Sequence, residues 1–433
     1  MLFTELGLRE NTLRSIGEVG YQVPTPIQAQ VIPHVLHRRD IFGSAQTGTG
    51  KTASFTLPLL DILEMGRARA RMPRILILTP TRELAHQVAG SFATYGKYHK
   101  FKQVLTIGGE SIHEQERKLM QGADVLIATP GRLLDLIDRG KIMMLALEVV
   151  VIDEADRMLD MGFIPEIEKI FSYLPARRQT LMFSATVPPE IRKLSHTFLK
   201  DFVEISVATP SETAGTVQQY LTHVTIKDKR EALRHIIEKE QVKSAIIFCN
   251  RKRDISVLCS SLSRHGYNAA PLHGDLHQSV RSDTLDAFKK GKINFLVASD
   301  VAGRGLDVEE LDFVFNFDVP INAEEYVHRI GRTGRAGRPG RAFMFVTKSE
   351  AVALKNIQAL INMTIETYPI EKIIKNVKEP LESPVKSDKP NTSRPKRVTK
   401  QEHKSSSNIP VVGFGDSPPA FMKNYFPHVG ALL

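Results

Sequence analysis

Short apolar runs recur along the chain, separated by longer stretches with helical spacing. One series comprises Ile75–Leu78, Val104–Ile107, Val125–Ala128, Val149–Ile152 and Leu181–Phe183. A second comprises Ala245–Cys249, Asn268–Leu272, Phe295–Ala298, Phe313–Phe317 and Phe343–Val346. Continuous apolar runs of this length, flanked by Gly or Pro, fit strands buried on both faces. Crossover helices provide that double cover in parallel sheets. Between the series lies ATPSETAGTVQ at 208–218, small, polar and without period, as in a linker. The expectation is an α/β chain with one parallel-sheet domain over 1–207, a linker at 208–216 and a second domain over 217–368.

Composition adds a partner class. Of the 433 residues 42% are hydrophobic, and 58 Lys and Arg outnumber 48 Asp and Glu. That balance favours polyanions, nucleic acid before anionic membrane. Cys249 and Cys259 have no zinc-ligand spacing, which suits a reducing compartment. MLFTELGLRE at the start lacks a signal-like apolar core, and no apolar run approaches the roughly 20 residues that span a bilayer. A cytoplasmic protein with no membrane association is expected. From about Lys378 the composition becomes rich in Pro, Ser and Lys, with too little apolar surface to offset ordering entropy, and aromatics return only in VVGFGDSPPAFMKNYFPHVG; these features set residues 369–433 apart. They read as a basic, largely disordered tail: a solvated spacer or a loose phosphate-binding arm.

The segment AQTGTGKT at 45–52 follows a strand-like stretch at Asp40–Ala45. Gly48 and Gly50 permit close backbone approach, and successive N–H groups at a helix start cradle phosphates. Ala45, Gln46, Thr47 and Thr49 complete the loop. Lys51 would supply charge to the β- and γ-phosphates of a nucleotide, and Thr52 a hydroxyl to Mg²⁺. A generic glycine-rich turn would use the same glycines without the Lys-Thr pair. Upstream, GYQVPTPIQ at 20–28 offers Gln28 as an adenine partner and Phe3 as a stacking ring. Otherwise PTPIQ is simply a turn entering a helix.

A second strand in this chemistry must end in carboxylate. EVVVIDEADRMLD at 148–160 does so with Asp153, Glu154 and Asp156 crowded after a greasy run. Either the cluster is a solvated strand end, or it is a cation site with Asp153 on the Mg²⁺ shell and Glu154 on the attacking water.

The ordered set of motifs resembles the DEAD-box ATP-dependent RNA helicases over about residues 1–368. It comprises GYQVPTPIQ, AQTGTGKT, PTRELA at 80–85, GG at 108–109, TPGR at 129–132, DEAD at 153–156, SAT at 184–186, IIFCN at 246–250, QSVR at 278–281, SDVAGRGLD at 299–307 and HRIGRTGR at 328–335. The short N-terminus and basic tail look most like the bacterial RhlE-type branch. The resemblance implies two RecA-like domains that close on ATP and single-stranded RNA. It implies that Asp156 couples to Ser184, Thr186 and His328, that Arg332 and Arg335 reach the γ-phosphate on closure, and that Asp307 meets the ribose. Arginine fingers contribute roughly 10³–10⁵ in rate. Ser299 and Gly303 depart from the usual Thr and Ala or Ser of the family, which leaves the rigidity of that loop open.

Arg82, Gly109, Thr129 and Arg132 in the first domain, with Asn250, Gly274, Arg281 and Ser299 in the second, are the expected RNA contacts. Such groups read phosphate and ribose with little base information. RNA over DNA is implied by the family alone, through 2′-hydroxyl contacts. The expected activity is an RNA-dependent ATPase that unwinds short duplexes or remodels RNA–protein complexes. Ribosome or RNA-decay assemblies are the expected surroundings, and a monomer is the default.

Overall fold

The computed structural model describes residues 1–45, 48–66, 72–207, 217–300, 311–334 and 340–370. Each series of apolar runs builds a parallel sheet. The first contains β1 (Ile41–Ser44), β2 (Ile75–Leu78), β3 (Gln103–Thr106), β4 (Val125–Ala128), β5 (Val149–Ile152), β6 (Gln179–Ser184) and β7 (Val203–Ser206). They lie in the order β3-β4-β2-β5-β6-β1-β7. The second contains β8 (Val217–His223), β9 (Ala245–Phe248), β10 (Ala269–Leu272), β11 (Phe295–Ala298), β12 (Phe313–Asn316), β13 (Gly340–Val346) and β14 (Glu366–Thr367), in the order β10-β11-β9-β12-β13-β8-β14.

Why the central runs are apolar at every position is visible in their packing. In β2 and β5 successive side chains point to opposite faces. Ile75, Ile77, Val149 and Val151 enter one core, while Leu76, Leu78, Val150 and Ile152 enter the other. A polar residue at any of these positions would lack a partner. The first core is covered by α1 (Glu10–Val19), α2 (Pro26–Leu36), α3 (Lys51–Met65) and α4 (Arg82–Tyr95). No helix among the described residues is long and apolar enough to cross a membrane.

Parallel pairing brings several strand ends to one edge. Ser44 of β1 aligns with Ser184 of β6, and Met182 of β6 aligns with Ile152 of β5. The segments that leave these strands are therefore neighbours, although more than a hundred residues separate the first from the last two. In open parallel sheets, ligands bind outside the carboxyl ends of the strands where the connections diverge.

The second sheet is fastened at its carboxyl edge by a buried arginine. Arg329 lies in α13 (Ala323–Ile330; α10 to α12 are Lys229–Lys239, Lys252–Arg264 and Gln278–Lys289). Its guanidinium donates to Asp300 at 2.6 and 2.7 Å, to Asn316 at 3.2 Å, to the Asp318 carbonyl at 2.8 Å and to Asn250 at 2.7 Å. Arg329 is 1% exposed. It ties the ends of β9, β11 and β12 together. Arg329→Ala strands Asp300 and Asn316 without this donor, and the expected loss is about 3 kcal/mol. Urea unfolding of the full chain measures it; an unchanged midpoint would mean the network does not hold the sheet edge.

Candidate functional site

The carboxyl end of β1 opens into the Gly-Lys-Thr turn. Gly48 and Gly50 take φ of 87° and 91°, the left-handed region that favours glycine. A side chain at Gly50 would also drive into the Gln28 amide. Lys51 begins α3, is buried, and donates from Nζ to the Ala45 carbonyl at 2.6 Å. Thr52 is half-buried in the same first turn. Gln46 and Thr47 lie outside the described residues.

Gln28 holds the start of a helix and reaches the Gly-Lys-Thr turn. Its Oε1 accepts from the Thr25 N–H at 2.9 Å, closing the start of α2, and its Nε2 donates to the Gly50 carbonyl at 3.3 Å. The helix cap thus fixes the amide against the phosphate-loop turn. Phe3 behaves differently from the sequence expectation. It is 4% exposed within the first core, so its ring is packed on apolar side chains rather than presented for stacking.

After β5 the three carboxylates diverge. Burial and the neighbouring Glu154 push Asp153 up to about 7, against the pull of Lys51 and Arg157. Glu154 adopts φ 57°, an unusual conformation for a residue with a side chain, and caps α7 (Ala155–Asp160). Arg157, itself 1% exposed, donates to Glu154 at 2.6 Å. Local strain at such a site persists because the surroundings over-determine it.

Asp156 turns away to the next strand end. It accepts from the Ala185 N–H at 3.0 Å, the Thr186 N–H at 2.8 Å and the Thr186 hydroxyl at 3.2 Å. Ser184 Oγ donates to the Thr186 carbonyl at 2.7 Å. Burial pushes the Asp156 carboxyl up, yet facing His328, Lys51 and the Thr186 N–H hold it below its ordinary value. From the second sheet His328 Nδ1 approaches Arg157 Nη2 at 3.4 Å. Asp156 thus joins Thr186 and, through it, Ser184, while Arg157, whose N–H donates to Asp156 at 3.0 Å, carries the link on to His328. Arg332 is buried next to this region, one turn beyond Arg329. Arg335 and Asp307 lie outside the described residues.

A separate cleft of about 370 Å³ gathers Arg82, Gly108, Thr129, Arg132, Gly274 and Arg281. Gly109 borders it at φ 80°, and a Cβ there would collide with the Arg82 guanidinium. The arginines are already engaged by protein. Arg281 pairs with Glu83 at 2.5 Å, with both side chains buried. Arg82 donates to Gln278 at 3.0 Å, and Arg132 to Gln115 at 3.0 Å and to the Glu110 carbonyl at 3.2 Å. Asn250 does not line the cleft. Its amide is spent on Arg329 and on the Val319 carbonyl at 2.8 Å. Ser299 is buried, and its hydroxyl has no hydrogen-bond partner among the described residues. Sequence reasoning missed Glu83, Arg157 and Gln278. Each lies inside or beside a recognised motif, but nothing local signals its partner.

Known proteins carry the same organisation. The DEAD/DEAH box helicase model matches residues 25–194, and the helicase conserved C-terminal domain model matches 228–337. The ATP-dependent RNA helicase DeaD of Escherichia coli strain K12 is 44% identical over 364 residues, 84% of this chain. The chain spans 57% of that relative's length. The relatives of this type bear the name DeaD, so the RhlE-type branch gains no support from them. Saccharomyces cerevisiae Dbp5 bound to RNA and ADP BeF3 superposes with a TM-score of 0.75 at 31% identity, over 85% of this chain and 95% of that one. A crystal structure of a DEAD box protein from Methanococcus jannaschii is 37% identical, with a TM-score of 0.51, over 85% of this chain and 99% of that one. With both helicase models matched in order and a solved family member covered almost end to end, the chain belongs to the DEAD-box family of ATP-dependent RNA helicases.

Proposed function

We propose that this chain is an RNA-dependent ATPase whose two sheets close on ATP and single-stranded RNA together. The observation that carries this reading is the contact chain from Asp156 and Arg157 to His328, which joins the phosphate-loop side to the second sheet. A nucleotide site built on one domain alone would need no such link.

The roles divide by position. Gly48, Gly50 and Lys51 hold phosphates, with Ala45, Gln46, Thr47 and Thr49 completing the loop. Gln28 reads adenine from its place beside Gly50. Glu154 accepts the proton of the attacking water. Arg332 and Arg335 supply cationic charge to the γ-phosphate, and Asp307 meets the ribose. The donor set fits Mg²⁺: Thr52 offers a hydroxyl, and Asp153 is a carboxylate pushed up by burial and then by Glu154, a penalty that a divalent cation offsets. Bound there, the ion would neutralise charge on the β- and γ-oxygens.

Arg82, Gly109, Thr129, Arg132, Gly274 and Arg281 form the RNA path, with the backbones near Asn250 and Ser299 completing it. The Arg281–Glu83 and Arg82–Gln278 contacts fix this path by joining PTRELA to QSVR. Gripping one strand in a shape set by both domains would expel its complement, so short duplexes open and RNA–protein complexes are remodelled. A DeaD relative is named for RNA helicase activity, and Dbp5 was solved with RNA and an ADP complex, which supports this substrate class. We place the protein in the cytoplasm as a monomer that works on ribosomal or RNA-decay assemblies.

The test is steady-state ATP turnover with and without single-stranded RNA. RNA should raise turnover by at least tenfold, and DNA of the same sequence should not. Turnover indifferent to RNA would overturn the coupled reading.

A further inference from the structure

On the far side of α3 from the phosphate loop, three ligand-type side chains converge. Asp61 and Glu64 stand three residues apart on one face of that helix. His99 reaches them from the segment after α4. One ligand atom from each lies within 4.8 Å of the others. Asp61 is fully buried, the His99 side chain is 2% exposed, and Glu64 opens to solvent at 34%.

The surrounding hydrogen bonds assign the histidine protons. Thr12 has one hydroxyl proton, and it is committed to Asp61 Oδ1 at 2.5 Å. His99 Nε2 lies 3.0 Å from the same hydroxyl oxygen, so it must be the donor. In the neutral ring, Nδ1 then carries a lone pair. That buried atom has no hydrogen-bond partner among the described residues and faces Glu64 Oε2 at 3.5 Å. A lone pair against a carboxylate is repulsive unless a cation stands between them. The other oxygens are oriented from outside: the Arg9 N–H donates to Asp61 Oδ2 at 2.7 Å, and Asn11 Nδ2 to Glu64 Oε1 at 2.9 Å. Support of this kind behind each ligand is typical of metal centres.

We propose that Asp61, Glu64 and His99 Nδ1 bind a divalent transition-metal ion of the zinc class, with water completing the shell on the solvent side of Glu64. One imidazole with two carboxylates suits zinc or cobalt rather than Mg²⁺. Tetrahedral ligation needs ligand atoms roughly 3.3 Å apart, close to the 3.5 Å that already separates His99 Nδ1 from Glu64 Oε2. The ion would staple the N-terminal helix α1, through Arg9, Asn11 and Thr12, to the helix that begins at Lys51.

The probe is Co²⁺ added to metal-stripped, full-length protein without nucleotide. Excess Mg²⁺ is present to fill oxygen-only sites. One equivalent should bind with a visible absorption band that Zn²⁺ abolishes. His99→Ala and Glu64→Gln should each weaken cobalt binding by at least tenfold. Glu64→Gln alters a solvent-facing side chain, so its far-ultraviolet dichroism should match the parent and keep the test valid if His99→Ala misfolds. If His99 merely carries a proton towards Glu64, no band develops and the proposal fails. A band that survives Glu64→Gln unchanged also overturns it, by assigning the metal to surface histidines.

Discussion

Lys51→Ala is expected to abolish ATP turnover, with a loss of about 10²–10³-fold or more. Removing one preorganised donor from a developing phosphate charge has that scale. Two features of the structure place it at the upper end here. Lys51 is 6% exposed, so water cannot substitute for the ammonium. It is also a principal cation opposing Asp153, whose carboxyl is already pushed up to about 7 by burial and Glu154. Alanine would leave Asp153, Glu154 and Asp156 with Arg157 as their main neighbouring guanidinium, and the Ala45 carbonyl without its 2.6 Å donor. Nucleotide affinity should therefore fall with turnover, as measured by titration of a fluorescent ATP analogue. Near-normal turnover would remove Lys51 from the phosphate cradle.

The interior of both sheets was legible because its residues obey one demand. Strands such as β2, β4 and β5 are buried at every position, so every residue is apolar and the run stands out. β7, β8 and β14 carry no such signal, for the opposite reason. They lie at or beside a sheet edge, where VEIS and VQQYLTH mix polar with apolar side chains. Gln219 of β8 is buried nonetheless, accepting from the Tyr326 hydroxyl at 2.9 Å, a pairing across 107 residues that no local pattern announces.

The site divides along the same line. The Gly-Lys-Thr turn and the carboxylate cluster each keep their residues together in one short stretch of sequence. The arginines do not. A guanidinium serves an RNA phosphate or an internal carboxylate equally well, so Arg281 with Glu83, and Arg329 with Asp300, needed coordinates to be placed. Phe3 shows the same limit from the apolar side: a ring that could stack on a base is equally suited to a core.

Glu154→Gln separates binding from chemistry. Glutamine retains the length and an oxygen acceptor for Arg157, which now holds Glu154 at 2.6 Å. The αL backbone at this position accepts glutamine as readily as glutamate. Position is thus kept and basicity is lost. A positioned general base contributes about 10²–10⁴-fold, so turnover should drop by that factor while ATP affinity stays within a few-fold of the parent. If closure on RNA precedes hydrolysis, the stalled variant should also hold RNA longer in the presence of ATP, because the step that reopens the cleft is blocked. Single-turnover hydrolysis and RNA dissociation in the same buffer read both effects. A variant that loses ATP affinity as Lys51→Ala does would make Glu154 a binding group. One that hydrolyses slowly but releases RNA at the parent rate would uncouple the carboxylate cluster from the Arg157–His328 contact that joins the two sheets.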